Sequence, residues 1–206
     1  MKKVGSVVGV ILFAAVMAFA LSGWVKGHVF GLIFQWFGND TFMCGGSQVV
    51  SISGKTLELD DTIITAGGDC EITLTDCHFK SPEPVTVGGN ASVIIEGGTL
   101  EAGKTAVSLG GSPKRFVARG VTIKSKGDGV RLYGSTLEAT IEGGSIQADK
   151  TALIATYGAK AKVKGTRIEG GEAAVRAERD SVVTLDASVT VEGKIQQDRG
   201  GTVSGP

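Results

Sequence analysis

From residue 49 onward the chain repeats itself, and that repeat constrains the fold more than any other feature. Segments align on a Gly-centred motif that ends in an apolar residue: IIEGGTL (94–100), VARGVTI (117–123), TIEGGSI (140–146) and KVKGTRI (162–168), with TLTDCHF (73–79) before them and a degenerate TLDASV (184–189) after. The terminal apolar residues are Phe79, Leu100, Ile123, Ile146, Ile168 and Val189, at spacings of 21, 23, 23, 22 and 21 residues. Leu57 adds one more rung ahead of Phe79. A fixed period of this length is the mark of a stacked-repeat architecture, in which each unit buries its apolar face only against its neighbours.

A second apolar segment recurs at a fixed offset from the first, as Val85-Thr86-Val87, Ala106-Val107-Ser108-Leu109, Val130-Arg131-Leu132, Ala152-Leu153-Ile154 and Ala174-Val175. Two-residue alternation runs through many of these pieces, and Gly, Asp, Lys and Ser fill the intervals, which is a pattern of short strands joined by turns. The 32 glycines in 206 residues suit tight corners, and no three-residue glycine period exists to suggest collagen. A leucine-rich horseshoe would need regularly placed leucines with an Asn or Cys at fixed spacing, and these are missing. The expected fold is all-β: a single-stranded parallel β-helix of about seven coils, a rod roughly 34 Å long at about 4.8 Å per coil.

Over about residues 44–198 the repeat length and Gly-containing turns resemble the right-handed parallel β-helix proteins of the pectate-lyase-like class. The right-handed sense is implied by that resemblance alone. β-Helix enzymes of this class act on polysaccharides through clustered Asp residues, or through Ca²⁺-binding carboxylates with a basic residue.

One detail supports the register independently of any resemblance. The residue four before each anchor is Glu96, Arg119, Glu142 and Lys164, so the sign alternates from coil to coil and predicts a ladder of ion pairs. Exposed pairs contribute only about 0.2–1 kcal/mol each, so such a ladder selects register more than it stabilises.

The N-terminal part reads differently. After Lys2 and Lys3, residues 4–25 carry no charge, and at about 1.5 Å per residue they can cross a hydrocarbon core of roughly 30 Å. A signal peptide cut near Ala18, Ala20 or Gly23 is the alternative, but its apolar core is normally shorter, and cleavage would leave an apolar stretch at the new terminus. The expected organisation is an anchor (or signal peptide) over 1–26, an interfacial or capping segment over 27–43, the β-helix over 44–198 and a flexible tail over 199–206. The basic pair ahead of the span places the N-terminus inside, so the β-helix is extracytoplasmic, periplasmic or on the cell surface. Trp24 and the patch of Val29, Phe30, Leu32, Ile33, Phe34, Trp36 and Phe37 suit the membrane interface, a plug for the open end of the stack, or a helix partner in an oligomer.

Candidate chemistry is sparse. The acidic candidates are Asp60, Asp61, Asp76, Glu96, Asp128, Glu142, Asp149 and Asp186, most of which read as turn residues or ladder rungs. Only Asp60-Asp61 forms an adjacent pair, with no third carboxylate evidently placed beside it, so no catalytic residue is assigned. Cys44, Cys70, Cys77 and His78 are the only set for zinc, and their spacing matches no closed zinc motif, so neither metal nor cofactor is expected. In an oxidising compartment three cysteines permit one disulfide, Cys44 to Cys70 being the preferred pairing, with free buried thiols as the alternative. His78 should point opposite to Phe79, into solvent.

Lys and Arg total 21, as do Asp and Glu, so no net field draws the chain to nucleic acid, and a 42% hydrophobic content excludes disorder throughout. The expectation is a single-pass, membrane-anchored β-helix acting as a structural or interaction module, with partners that are further copies or other membrane subunits. The alternative is a glycan-binding or degenerate polysaccharide-processing β-helix, secreted after cleavage, with Tyr133 and Tyr157, 24 residues apart, on neighbouring corners.

Overall fold

The computed structural model describes residues 41–205. Within them the chain is a parallel β-solenoid of about seven turns. Each turn adds one strand to each of three sheets, giving sheets of eight, eight and seven strands that pair in parallel from one coil to the next. The first sheet runs from Phe42–Cys44 to Ile195–Asp198, the second from Val49–Ser53 to Thr202–Ser204, and the third from Thr56–Glu58 to Thr190–Glu192.

The alternation seen in the sequence becomes an inside and an outside. In the second sheet Glu71–Thr75 buries Ile72 and Leu74 and turns Glu71, Thr73 and Thr75 outward, and Lys160–Lys164 buries Ala161 and Val163 between three exposed lysines. Successive coils align like with like. Ile72, Val93, Phe116, Ala139, Ala161 and Val183 form one interior column of that sheet. Val85, Val107, Val130, Leu153, Val175 and Ile195 form a column of the first sheet. Phe79, Leu100, Ile123 and Ile146 continue to Ile168 in the third.

The third-sheet column then ends on Val191, not on Val189. Val189 is buried at the preceding corner, donating its N–H to the Asp186 carbonyl, so the last repeat is two residues longer than the 21-residue spacing implied. Two boundaries also shift. The first strand begins at Phe42, inside the stretch expected as interfacial, and the expected tail contains a strand, Thr202–Ser204, paired with Val182–Leu185. The anchor with Trp24 and the apolar patch over 29–37 lie outside the described residues.

Two corners show why glycine is abundant. Between the second and third sheets Gly54, Gly97, Gly120, Gly143 and Gly165 all have φ between +60° and +67°, the left-handed region that glycine enters without a Cβ penalty. Asp76 takes the same corner with φ 49°, consistent with the tolerance of Asp for this conformation. The other is the corner between the first and second sheets, described below.

Candidate functional site

The outer face of the second sheet carries charge in bands. The strand Arg115–Arg119 presents Arg115 and Arg119, the next strand Glu138 and Glu142, and the next Lys160, Lys162 and Lys164. Strict pairing places Arg115 against Glu138 and Glu138 against Lys160, and likewise Arg119 against Glu142 and Glu142 against Lys164. Arg119 donates from Nη1 to Glu96 Oε1 at 2.9 Å and from Nε to Glu142 Oε2 at 3.1 Å, and those carboxylates hold its guanidinium protonated beyond its ordinary range. The ladder therefore closes on both sides of Arg119. Lys164 makes no such ion pair with Glu142 among the described residues, and Lys160, Lys162 and Lys164, spaced two residues apart on one strand, face solvent.

A second feature lies at the corner between the first and second sheets. Tyr133 and Tyr157 stack with ring centroids 4.2 Å apart and an interplanar angle of 39°. The Arg179 guanidinium lies 4.2 Å above the Tyr157 ring and donates to the Tyr157 hydroxyl. Hydrogen bonding to Tyr157 raises the Tyr133 phenol above its usual range. The corner expected from the 24-residue interval is thus where both rings meet, with Arg179 as a third member that sequence spacing did not reveal.

A third feature is an open groove of about 540 Å³ along the end of the third sheet. Its walls include Asp60, Lys80, Glu101, Lys124, Lys126 and Asp149. The signal for it was present in the residues one and three after each third-sheet anchor, where Glu58, Lys80, Glu101 and Lys124 fall in one register column. Ser81 lies on the groove with its Oγ buried and without a hydrogen-bond partner.

Three of the remaining acids are engaged locally. Asp61 accepts from the Thr62 N–H at 2.7 Å, and Asp128 pairs with Arg131 at 3.1 Å. Asp186 accepts from the Ser188 hydroxyl at 2.6 Å and from its N–H at 2.9 Å, which lowers the carboxyl below its ordinary value. Of the candidate pair, Asp60 faces the groove while Asp61 serves its own turn, so the two do not converge.

Cys44 and Cys70 are joined as a disulfide, and Cys77 is a buried free thiol. His78 is exposed in the strand His78–Ser81, whose Phe79 points inward. No group of three or more His, Cys, Asp or Glu side chains able to hold a metal ion occurs among the described residues. The chain matches no protein-family model, and no curated protein or solved structure is significantly similar to it.

Proposed function

We propose that this chain is a rigid extracytoplasmic interaction module, held at a membrane by an uncleaved N-terminal span, whose β-helix docks on further copies of itself or on other membrane subunits. The observation that carries this reading is the banded outer face of the second sheet. Rows of Arg, Glu and Lys alternate at the spacing of one coil, about 4.8 Å, on a surface whose shape is fixed by continuous parallel pairing. A row such as Lys160, Lys162 and Lys164 meets a row of opposite sign on a partner surface, including the Glu138 and Glu142 row of a second copy. Charge arrays of this kind direct register and partner choice more than they supply affinity. The Cys44–Cys70 disulfide supports an oxidising compartment.

Native mass spectrometry of the full chain in mild detergent tests the reading. The expected result is the intact chain in a defined oligomer or bound to other membrane proteins, lost when Lys160→Gln, Lys162→Gln and Lys164→Gln are combined. A single copy lacking its first ~23 residues would mean a secreted module and would remove the proposal.

A further inference from the structure

The chain has two tyrosines, and the fold brings both to one corner. After each strand of the first sheet the early coils turn on Gly46, Gly68, Gly89 and Gly111, whose φ lies between +61° and +87°, the region glycine enters without a Cβ penalty. Tyr133 pairs in register with Thr156, and Tyr157 is the next residue. Tyr157 takes the left-handed turn with φ 57°, and Arg179 takes it one coil later with φ 52°. Side chains of that size are uncommon there and persist where their surroundings hold them. What holds Tyr157 is contact on both sides: the Tyr133 ring from the coil before and the Arg179 guanidinium from the coil after.

That arrangement fixes two phenols against each other. The ring centroids are 4.2 Å apart and Tyr133 hydrogen-bonds to Tyr157, so the ortho carbons that flank the two hydroxyls are neighbours as well. Those carbons carry unpaired spin in a phenoxyl radical. Reacting groups already held in contact combine far faster than groups that must meet by diffusion. The pair is open to a reagent, with Tyr133 43% and Tyr157 39% exposed. Tyr133 follows Leu132, whose partner Leu109 precedes Gly110, so no side chain stands on the matching corner of the coil before it. Among the described residues no accessible thiol competes for an oxidant, because Cys44 and Cys70 are joined and Cys77 is buried.

We infer that Tyr133 and Tyr157 form an oxidative cross-linking site, at which a haem peroxidase using hydrogen peroxide couples the two phenols of one chain into dityrosine. Each phenol gives up one electron and its hydroxyl proton to become a phenoxyl radical. The radicals join through one ortho carbon each, forming a C–C bond, and the hydrogen on each of those carbons moves to its oxygen to restore the phenol. The two electrons and two protons that leave the chain reduce one peroxide to two waters. The product ties the coil of Asp128–Tyr133 to the coil of Thr151–Thr156, as the Cys44–Cys70 bond ties the first turn. Both ties belong to an oxidising compartment.

Treatment of the full chain in mild detergent with horseradish peroxidase and hydrogen peroxide, with free tyrosine present as a diffusible radical carrier, tests this. Denaturing gels separate single chains from joined ones, and peptide mass spectrometry locates the bond. The expected product is a single chain in which the peptides of Tyr133 and Tyr157 are linked with the loss of two hydrogens, exceeding chain-to-chain products about tenfold or more. Tyr133→Phe and Tyr157→Phe keep the rings and remove one phenol, so each should hold the thermal midpoint near the parent's and abolish the product. Three results would overturn the inference: bonds formed mainly between chains, tyrosines coupled to the added tyrosine and not to each other, or both left unreacted while the free tyrosine dimerises. It does not rest on the interaction-module reading, whose test is the oligomeric state.

Discussion

Cys44 and Cys70 stand one coil apart in neighbouring turns of the rod, their Cα atoms 6.0 Å from each other, and the bond between them closes a segment of 26 residues. Because each coil touches only its neighbours, that bond acts on the first turn and not on the whole stack. In the chain-entropy account a loop of this size corresponds to about 3.5 kcal/mol. Reduction, or Cys44→Ala with Cys70→Ala, should therefore release the strands Phe42–Cys44 and Val49–Ser53 first. Hydrogen exchange checks this: protection should fall there and persist near Ile146 and Leu153. Equal loss along the whole rod would show that the coils unfold as one unit.

Phe116 is the largest side chain in its interior column and is fully buried, with Val93 on one side and Ala139 on the other. The small Ala139 makes room for it, so truncation leaves a cavity that the rigid backbone ladder does not close. Phe116→Ala should cost about 3–5 kcal/mol. Denaturant titration reads this as a lower midpoint, and a loss below about 1 kcal/mol would mean that the column relaxes into the space.

Much of this packing was legible because burial in a solenoid repeats at the period of the sequence. Phe79, Leu100, Ile123, Ile146 and Ile168 carry the register by themselves, and Glu96, Arg119 and Glu142 repeat it on the outside. The last coil misled because Val189 and Val191 are both apolar, and only the corner hydrogen bond to Asp186 decides which faces the column. Arg179 was not legible beside the tyrosines, since its approach to Tyr157 depends on a left-handed corner that no spacing announces. The groove wall was present in the register columns, but charges there read as solvated turn residues until three coils were stacked.

The glycines divide into two kinds with opposite responses. Gly144 has φ +69°, and an added Cβ would run into the Val121 backbone, so Gly144→Ala should destabilise by more than about 1 kcal/mol. Gly110 has neither constraint, so Gly110→Ala should be neutral or stabilising by about 0.4–1 kcal/mol. Thermal unfolding of the two variants distinguishes them, and equal losses would contradict the division.

Arg119 bridges two carboxylates on an exposed face, so its substitution should register as a salt-dependent change. Arg119→Ala leaves Glu96 and Glu142 without their shared cation and should lower the thermal midpoint slightly. The gap from the parent should narrow as sodium chloride rises, because screening already weakens the pairs in the parent. A gap independent of salt would assign the effect to lost packing by the arginine stem instead.

Asp186 gives the pH dependence a definite sign. Its carboxylate accepts two hydrogen bonds from Ser188 that are available only to the folded chain, so its folded-state value lies below the unfolded one. A depressed carboxyl contributes stability above the unfolded value, near 3.8, and loses it as pH falls through the folded value. Asp186→Ala should therefore unfold more easily than the parent at neutral pH, and the two should converge in acid. Thermal melts from neutral pH to below the carboxylate range check this. A difference that persists at the acid end would mean that the side chain acts by fixing the corner backbone through Ser188, whatever its charge.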